Sequence, residues 1–419
     1  MAVAVTNLPP AVDPSVSSIR PALHQVDPAA PASPADAPLV LIANPSPDVY
    51  GSDLQMLETV TALRGAGYRV KVALPSDGPL VPRLCERGAE IIYADFPVLR
   101  RANQAPLAFL QLGLSVTAAI PRLTGLIRRN SPAVVYVNTV TLPWWLLAAR
   151  LARVPATCHV HEADDADSLP VRFALYGPLW LANTIVVNGQ PALEVMGRTI
   201  RRLVRKARVV YNGVSQPPHE PKPSRRNRPF QLLSVGRLSP RKAPHLALEA
   251  VSRLRSRGYD VRIELAGSVF PGYEWYLEEL KERASRPDLS GAVSFAGYCS
   301  PIWPNLQRAD LVVQPSLRES LGNAVIEAQM FLRPVVATAT SGHLVTITDG
   351  ETGLLFPSGD VDALANAIAR IIDDDDLAAD ITRRARITAI KRFSIDRYAA
   401  EAVRAIESIV PTAKRPARR

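Results

Sequence analysis

The sequence has only three cysteines in 419 residues, and they are too far apart to form a CxxC motif. A disulfide framework and a cysteine zinc site are therefore not expected. Two uncharged stretches, residues 104–121 and 131–149, approach the length of a membrane span, but Pro, Asn, Gln or Thr interrupts both. We therefore expect no transmembrane helix. The second stretch instead predicts a buried strand, Val134–Val137, followed by an apolar helix.

The sequence also lacks the marks of secretion and of nucleic-acid binding. The first ten residues have neither the basic nor the apolar part of a secretory signal, which predicts a cytoplasmic protein. The net charge is +10, with basic residues concentrated between Arg198 and Arg228 and in the tail. No aromatic-interleaved basic motif, helix-turn-helix or zinc-finger spacing accompanies them, so no nucleic acid is expected. An anionic membrane surface, at the inner face of the cytoplasmic membrane, is as consistent with these charges as simple solvation of helices and linker.

What is present is a strand–helix alternation that occurs twice. Short apolar runs alternate with helices and indicate two Rossmann-like, doubly wound domains facing each other across a cleft, an α/β fold. The predicted organisation is a disordered Pro/Ala-rich leader (1–38), an N-terminal Rossmann-like domain (39–214), a linker (215–229), a C-terminal Rossmann-like domain (230–395), a helix packing near the domain junction (396–410) and a basic tail (411–419). Ligands of such sheets bind beyond the carboxyl ends of the strands.

A basic turn follows the first strand of the second half. Arg237 and Lys242 belong to the segment 236–242, directly after a strand. A guanidinium fork and a mobile ammonium together suit a diphosphate. Alone, such a turn is more often a solvated basic loop.

A second candidate segment lies at residues 315–328. Ser320 is placed to cap a helix that starts near Gly322, whose free N–H groups would form an anion site. Glu319 and Glu327 are eight positions apart, which is about 12 Å along a helix. That separation is too large for the paired carboxylates of a glycosidase.

These segments resemble glycosyltransferase family 4. The resemblance is carried by the Arg237/Lys242 pair, by Glu319-x7-Glu327 within Glu-Ser-Leu-Gly-Asn, and by the segment from Asp349 to Pro357, and it covers about residues 39–410. It implies the GT-B fold, a nucleotide-diphospho-sugar donor, retention of anomeric configuration and no need for a metal or other cofactor.

The resemblance also implies roles for single residues. Arg237 and Lys242 would bind the donor diphosphate together with the backbone N–H groups of Ser320, Leu321 and Gly322, Glu319 would contact the donor sugar near the reacting carbon, and Glu327 would hydrogen-bond the ribose. Charge on the departing diphosphate would then be stabilised electrostatically.

The first half is harder to assign. Similar proteins have a histidine that contacts the donor sugar at the end of the strand Ala156–Val160. Alternation places His159 and His161 on the same face of that strand, so both stay candidates. We favour His161 as a catalytic residue because it lies where the strand leaves the sheet, whereas a histidine inside a strand is more often a core residue.

Two segments depart from the family pattern. Gly51 and Ser52 lie where the family has a glycine-rich loop that would approach donor or acceptor, but only one glycine is present, and Ser52 or Asp53 could simply cap the helix. At Ser341-Gly342-His343 similar proteins often have paired glycines followed by an acidic residue, and this chain has Val345 there.

The function that follows is transfer of a sugar from a UDP- or GDP-sugar to a glycan or lipid-linked acceptor in cell-envelope or exopolysaccharide synthesis. A nucleotide-sugar hydrolase or epimerase is an alternative, in which Glu162 or Asp164 would activate water. An inactive GT-B binding protein is another. No metal site is expected, because the acidic clusters 164–167 and 373–376 lack the ligand spacing of a hard-cation loop.

Overall fold

The computed structural model describes residues 36–49, 51–99, 106–161, 168–224, 229–269 and 272–416, without the side chains of 106–114. The predicted leader up to residue 35, Tyr50, and the carboxylates Glu162 and Asp164 lie outside the described residues. The described part contains two parallel sheets, which confirms the predicted α/β architecture of two Rossmann-like domains.

The first sheet has seven strands in the order β3-β2-β1-β4-β5-β6-β7, all parallel. Its strands are β1 (Leu39–Ala43), β2 (Arg69–Leu74), β3 (Glu90–Tyr93), β4 (Val134–Val137), β5 (Ala156–Val160), β6 (Thr184–Val187) and β7 (Ala207–Val209). The central strands are wholly buried, as expected for a parallel sheet with helices on both faces. The order reverses beside β1, between β1 and β4, which places a crevice at their carboxyl ends.

Six α-helices connect these strands. They are α1 (Gly51–Gly65), α2 (Leu80–Glu86), α3 (Pro106–Asn130), α4 (Pro143–Ala152), α5 (Leu169–Tyr176) and α6 (Gln190–Thr199), with 3-10 turns at Gly177–Leu181 and Arg201–Lys206. The predicted strand and helix within residues 131–149 are thus confirmed as β4 and α4. Within the described residues, no helix combines the length and the apolar character needed to cross a bilayer.

The second sheet has six parallel strands in the order β10-β9-β8-β11-β12-β13. Its strands are β8 (Phe230–Val235), β9 (Val261–Ala266), β10 (Val293–Gly297), β11 (Leu311–Gln314), β12 (Val335–Thr338) and β13 (Leu354–Phe356). The helices around it are α7 (Pro244–Ser256), α8 (Glu274–Ala284), α9 (Trp303–Arg308), α10 (Asn323–Met330), α11 (Ser341–Thr346), α12 (Val361–Asp373) and α13 (Asp375–Phe393). The order reverses between β8 and β11, so the crevice of this sheet lies beyond those two strands.

The last helix returns to the first domain. Helix α14 (Ile395–Glu407) packs against α1 and β6, and the Tyr398 hydroxyl lies 2.5 Å from the Thr59 hydroxyl. The segment just before the linker is held there as well, because the backbone N–H of Gly213 donates to Gln55 Oε1 at 2.9 Å. A side chain at Gly213 would collide with Tyr398, since a Cβ there would lie 2.8 Å from the Tyr398 Cβ. The C-terminal helix therefore packs against the end of the first domain, next to the start of the linker.

Candidate active site

The basic turn of the second domain begins with two glycine backbones in contact. Gly236 ends β8 and Gly267 ends β9, and a Cβ on Gly267 would lie only 1.8 Å from the Gly236 carbonyl oxygen. No other residue fits at Gly267 without moving this backbone. The turn is further held by Leu238, whose N–H donates to the Ser268 carbonyl at 3.0 Å. These contacts set the direction in which Arg237 leaves the end of the strand.

Lys242 and Glu319 form an ion pair between the ends of β8 and β11. The two loops are also joined by backbone, because Leu317 N–H donates to the Arg241 carbonyl and the Arg241 guanidinium donates to the Arg318 carbonyl, each at 2.9 Å. The Lys242 side chain is 20% exposed and that of Glu319 is 9% exposed. Lys242, which is predicted to bind the diphosphate, and Glu319, the predicted catalytic carboxylate, are therefore in direct contact.

Glu319 is ionised at any physiological pH. Its burial raises the pKa of the carboxyl, but the Lys242 ammonium, the neighbouring His343 and Arg241 outweigh that effect and hold the pKa at about 2. Because the folded-state pKa is depressed, the ionised group stabilises the fold above the ordinary value of 4.5, and that contribution is lost as the pH falls towards 2. Glu319 is thus a permanent negative charge at the edge of the cleft.

Helix α10 starts one residue later than predicted and without a serine cap. The N-cap is Gly322, in the left-handed conformation at φ +86°, and no side chain caps the helix. The prediction that Ser320 caps it is therefore wrong. The Ser320 N–H instead faces the Glu319 carboxylate, 3.3 Å from Oε1. The positive φ and the buried ring beneath Gly322 explain why the chain turns here through a glycine, not a serine.

That buried ring belongs to His343, a residue that the sequence analysis did not select. His343 is 0% exposed, and its Nδ1 lies 3.0 Å from the Thr338 carbonyl oxygen. A Cβ on Gly322 would lie 2.9 Å from His343 Cδ2. Next to it, Gly342 donates its N–H to the Glu319 carbonyl, and a Cβ on Gly342 would lie 2.5 Å from the same oxygen. The segment that departs from the family pattern thus supports the backbone of the 319–322 loop.

Glu327 lies in the second turn of α10 and has a different environment from Glu319. Among the described residues, no hydrogen bond or ion pair engages its carboxylate. Burial alone raises its pKa to about 7. A carboxylate without a partner at this position is suited to accept hydrogen bonds from the hydroxyl groups of a ligand.

Polar side chains follow four neighbouring strands of the first sheet. Asn44 directly follows β1, Asn138 follows β4, His161 follows β5 and Asn188 follows β6. They are connected, since Asn138 Nδ2 donates to Asn44 Oδ1 at 2.8 Å, Asn138 Oδ1 lies 3.2 Å from His161 Nε2, and Asn188 Nδ2 donates to the His161 carbonyl at 3.2 Å. We call these four residues the amide–histidine row.

The predicted loop at Gly51 and Ser52 is attached to this row. It forms the first residues of α1, where Asp53 Oδ1 accepts a hydrogen bond from Asn44 Nδ2 at 2.9 Å. The Ser52 carbonyl lies 3.5 Å from Asn138 Nδ2. The loop is thus part of the same polar edge as His161.

The two candidate histidines lie side by side but in different surroundings. Their ring centroids are 3.9 Å apart, as the shared strand face predicts. His159 is 0% exposed and pairs with the Tyr136 hydroxyl at 2.5 Å, whereas His161 is partly exposed where the strand ends. Burial lowers the pKa of His161 to about 4, so its ring is neutral at pH 7. Of the two histidines, His161 is therefore the one whose ring is accessible from the cleft.

The two halves of the site face each other. A Cβ on Gly189, the residue after Asn188, would lie 3.4 Å from the Ser320 carbonyl oxygen. Asn212 Nδ2 donates to Asn323 Oδ1 at 3.3 Å, across the same cleft. The amide–histidine row and the Glu319 loop are therefore opposite walls of one cleft.

Comparison with known families agrees with this arrangement. The family model described as Glycosyltransferase Family 4 matches residues 50–216, and the one described as Glycosyl transferases group 1 matches residues 215–388. The two matches meet at the start of the linker and together include every strand of the two sheets except β1. The chain belongs to glycosyltransferase family 4.

Curated relatives of this family-4 chain cover part of its length. The lipopolysaccharide core biosynthesis glycosyltransferase LpsE of Rhizobium meliloti is 34% identical over 170 residues, which are 39% of this chain and 45% of LpsE. A D-inositol 3-phosphate glycosyltransferase of Kribbella flavida is 36% identical over 149 residues, 34% of this chain and 35% of the relative. The chain thus matches less than half the length of these curated relatives.

The fold is shared over nearly the whole of a solved structure. A crystal structure of Anabaena HepE in complex with UDP and glucose superposes with a TM-score of 0.74 and covers 88% of this chain and 99% of HepE, at 21% identity. The predicted GT-B fold is therefore confirmed. The roles given above to Arg237, Lys242, Glu319, Glu327 and His161 stay predictions.

The described residues contain no group of three or more His, Cys, Asp or Glu side chains arranged to hold a metal ion. In the acidic cluster 373–376, Asp374 caps α13 by accepting a hydrogen bond from the Leu377 N–H at 2.8 Å. The cluster 164–167 lies outside the described residues.

Sequence reasoning missed the asparagines of the first half. A signal was present, because Asn44 and Asn138 each come directly after a short, uninterrupted apolar run. Carboxyl ends of parallel strands meet at one edge, so polar residues at those positions are expected to gather. His343 and Gly342 gave no such signal, since only the folded backbone shows what they support.

Proposed function

We propose that this protein transfers a sugar from a UDP- or GDP-sugar to a glycan or lipid-linked acceptor, with retention of configuration and without a metal. The observation that supports this best is the Lys242–Glu319 ion pair at the switch point of the second sheet, next to the glycine N-cap of α10. In this arrangement the Lys242 ammonium and the start of α10 can bind a diphosphate, while the fixed Glu319 carboxylate can contact the sugar.

The proposed reaction breaks the bond between the anomeric carbon and the diphosphate oxygen, and the electron pair stays on that oxygen. Lys242, Arg237 and the N–H groups at the start of α10 stabilise the charge that grows there. The acceptor hydroxyl oxygen forms the new bond on the same face of the sugar, and its proton goes to the departing diphosphate. Glu319, ionised with a pKa of about 2, stabilises the positive charge that develops on the sugar ring.

The neutral first-half groups position the sugar in this proposal. His161 has a pKa of about 4, so it acts as a hydrogen-bonding group and carries no positive charge that would oppose the developing one. Glu327 binds the ribose diol, for which its unpartnered carboxylate is suited. No other cofactor is needed.

The names of similar proteins support the choice of donor and acceptor. HepE was crystallised with UDP and glucose, and LpsE is named for lipopolysaccharide core biosynthesis. A cell-envelope or exopolysaccharide acceptor is therefore the first to test, with the enzyme at the inner face of the cytoplasmic membrane.

The experiment is a product assay by mass spectrometry, with a panel of UDP- and GDP-sugars and bacterial lipid and glycan extracts. The proposal predicts one donor that adds a hexose-sized mass to an acceptor, with the donor's anomeric configuration kept in the product NMR spectrum. Free sugar or an epimerised nucleotide sugar in place of a glycoside would instead support the hydrolase or epimerase alternative. Binding without turnover of any donor would support an inactive binding protein.

A further inference from the structure

Cations from distant parts of the sequence gather at the amino edge of the first sheet, the edge opposite the active site. They come from the segments that lead into successive strands, and we call them the amino-edge surface: Arg69, Lys71, Arg128, Arg129, Arg150, Arg153, Arg201, Arg202, Arg205, Lys206, Lys414 and Arg415. Only the last six were recognisable as basic runs in the sequence. Parallel strands all start at the same edge, which is why the fold unites them.

One part of this surface is a cavity. It has a volume of about 470 Å³, and its walls include Arg69, Lys71, Arg129, Lys414 and Arg415. The C-terminal segment forms one wall, because Pro416 packs against Gly67, where a Cβ would lie 3.2 Å from the Pro416 Cβ. Residues 413–416 therefore lie against the first domain, and Lys414 and Arg415 add their charges there.

The other part lies below β6 and β7. Arg201, Arg202 and Arg205 are exposed in a 3-10 turn and make no ion pair with any described residue. Lys206 follows them and lies 5.5 Å from the centroid of the Trp180 ring, while its ammonium donates to the Trp180 carbonyl at 2.8 Å. Cations and an exposed aromatic ring are thus held together.

Exposed apolar side chains accompany the charges. Trp180 is 46% exposed, Leu151 at the end of α4 is 48% exposed and Val204 is 38% exposed. The Arg128 guanidinium donates to the Leu151 carbonyl at 3.0 Å, which joins the end of α3 to the end of α4. This basic edge therefore also exposes apolar side chains to water, which is typical of an interaction surface.

Acidic residues do little to neutralise this edge. The sequence has no Asp or Glu between Phe96 and His161, a range that includes all of β4, α4 and β5. Glu90 pairs with Arg69 at 2.8 Å and with Lys71 at 3.1 Å, and Asp36 lines the cavity. Six exposed arginines of the surface form no ion pair with any described residue: Arg129, Arg150, Arg153, Arg201, Arg202 and Arg205.

We propose that the amino-edge surface docks this protein on an anionic lipid bilayer. Arginine and lysine side chains are attracted to anionic headgroups, and Trp, Leu and Val side chains insert at the interface. A nucleic acid or another soluble polyanion would also pair with the cations. It has no apolar interior, however, in which the side chains of Leu151 and Val204 could be buried. The donor cleft lies at the opposite edge of the sheet, so docking leaves it open.

The docking test does not depend on the proposed transferase activity. Wild-type protein is mixed with phosphatidylglycerol or phosphatidylcholine vesicles and separated by flotation at low and high salt. The charge variant carries Arg129→Ser, Arg201→Ser, Arg202→Ser and Arg205→Ser. The matched control carries Arg286→Ser, Arg308→Ser, Arg383→Ser and Arg384→Ser, four exposed arginines of the second domain. Thermal unfolding and UDP titration show that each variant is folded.

Phosphatidylglycerol vesicles should bind far more of the wild type and of the control variant than phosphatidylcholine vesicles do, because only apolar insertion acts on the neutral lipid. Each engaged arginine contributes about a fivefold factor in partitioning, equivalent to about 1 kcal/mol, so the charge variant should bind roughly a hundredfold or more weakly. If the charge variant and the control lose the same amount of vesicle binding, the binding depends only on net charge, and the proposal is overturned. Wild-type binding to an RNA oligonucleotide without flotation would assign the surface to a soluble polyanion and also overturn it.

A second variant tests the apolar contribution. Leu151→Ser with Trp180→Ser is compared with Trp275→Ser and Ile387→Ser, which are exposed on the second domain. Salt screens the charges but not apolar insertion, so part of the wild type and of this control should stay on the vesicles at high salt. The Leu151/Trp180 variant should be released completely. Equal retention of the two variants at high salt would contradict insertion of this edge.

Discussion

The two walls of the active-site cleft differ in charge. The wall from the second domain carries Lys242 beside an ionised Glu319, and Glu327 with a pKa of about 7. The wall from the first domain carries amides and His161, whose pKa of about 4 leaves it neutral at pH 7. One wall can therefore balance the charge of a diphosphate, while the other can only position neutral hydroxyl groups.

This difference separates binding from chemistry. A charged group that holds the diphosphate acts in the ground state and in the transition state, so its loss should appear first in donor affinity. Groups that orient the sugar should affect mainly the rate. The predictions below test that separation from the largest expected effect to the smallest.

The largest effect is expected for Glu319→Gln. The variant keeps the shape of the side chain but removes the permanent charge that we propose stabilises the sugar. We expect kcat to fall about 10²–10³-fold with little change in donor KM, measured by initial rates of UDP release with the acceptor identified in the product assay. Glu279→Gln, on the exposed face of α8, is the control. A rise in KM with unchanged kcat would remove Glu319 from the chemical step.

A smaller effect is expected for Asn138→Ala on the opposite wall. This residue lies between Asn44 and His161 in the amide–histidine row, so we expect it to orient His161 without binding the diphosphate. We expect kcat to fall about tenfold while donor KM stays within about twofold. Thermal unfolding checks that the variant is folded. Loss of donor affinity equal to the loss of rate would contradict a purely positioning role.

The pH dependence of donor binding should come from Glu327. Its pKa is raised to about 7, whereas Glu319 and His161 titrate at about 2 and about 4. If the ionised carboxylate binds the ribose, donor KM should rise about tenfold as the pH falls from 8 to 6, following the ionised fraction. A nucleotide sugar is the right probe because its diphosphate takes up no proton near neutrality. Glu327→Gln should give a flat profile, and an unchanged slope in that variant would refute the assignment.

The folded state should show the opposite trend for the same residue. Since burial raises the pKa of Glu327 above 4.5, the fold favours its protonated form, and its contribution to stability is lost as the pH rises from about 4.5 to 7. Urea unfolding of wild type and Glu327→Gln between these pH values measures this difference. A stability gap that does not change with pH would show that Glu327 is not buried as described.

The smallest effect is expected from removal of metal ions. In the proposed mechanism, Lys242, Arg237 and the start of α10 supply the positive charge that a divalent cation supplies in metal-dependent enzymes. Saturating EDTA should therefore leave the initial rate within about twofold of the untreated enzyme. Loss of activity that Mg²⁺ or Mn²⁺ restores would show that the second wall does not balance the diphosphate by itself.

The residues of the second wall could be predicted from the sequence more easily than those of the first wall. Arg237, Lys242, Glu319 and Glu327 lie in short segments with local spacing, so sequence alone places them at strand ends of one domain. Asn44, Asn138, His161 and Asn188 are spread over about 145 positions and meet only because parallel strands end at one edge. Most of the amino-edge surface could not be predicted from the sequence for the same reason, because its residues are far apart in the chain and meet only at the sheet edge.

Close backbone packing limited the prediction at the Glu319 loop. Sequence favoured Ser320 as a cap, since serine is a common N-cap, but the loop turns through Gly322 over the buried His343 ring. Gly342 and Gly267 were likewise unremarkable until the structure showed neighbouring carbonyl oxygens within 2.5 Å and 1.8 Å of their would-be Cβ positions. Contacts of this kind depend on tertiary packing and have no local pattern.

Calorimetric titration of UDP tests the unequal division of charge most directly, with wild type, Lys242→Met and Asn138→Ala measured side by side. Methionine keeps the aliphatic stem of Lys242 but not its charge, and Lys281→Met, on exposed α8, is the matched control. We expect Lys242→Met to lose about 1.5–3 kcal/mol of UDP binding free energy, while Asn138→Ala and the control bind UDP as the wild type does. Unchanged affinity in Lys242→Met, or an equal loss in Asn138→Ala, would contradict the assignment of the donor charge to the second wall.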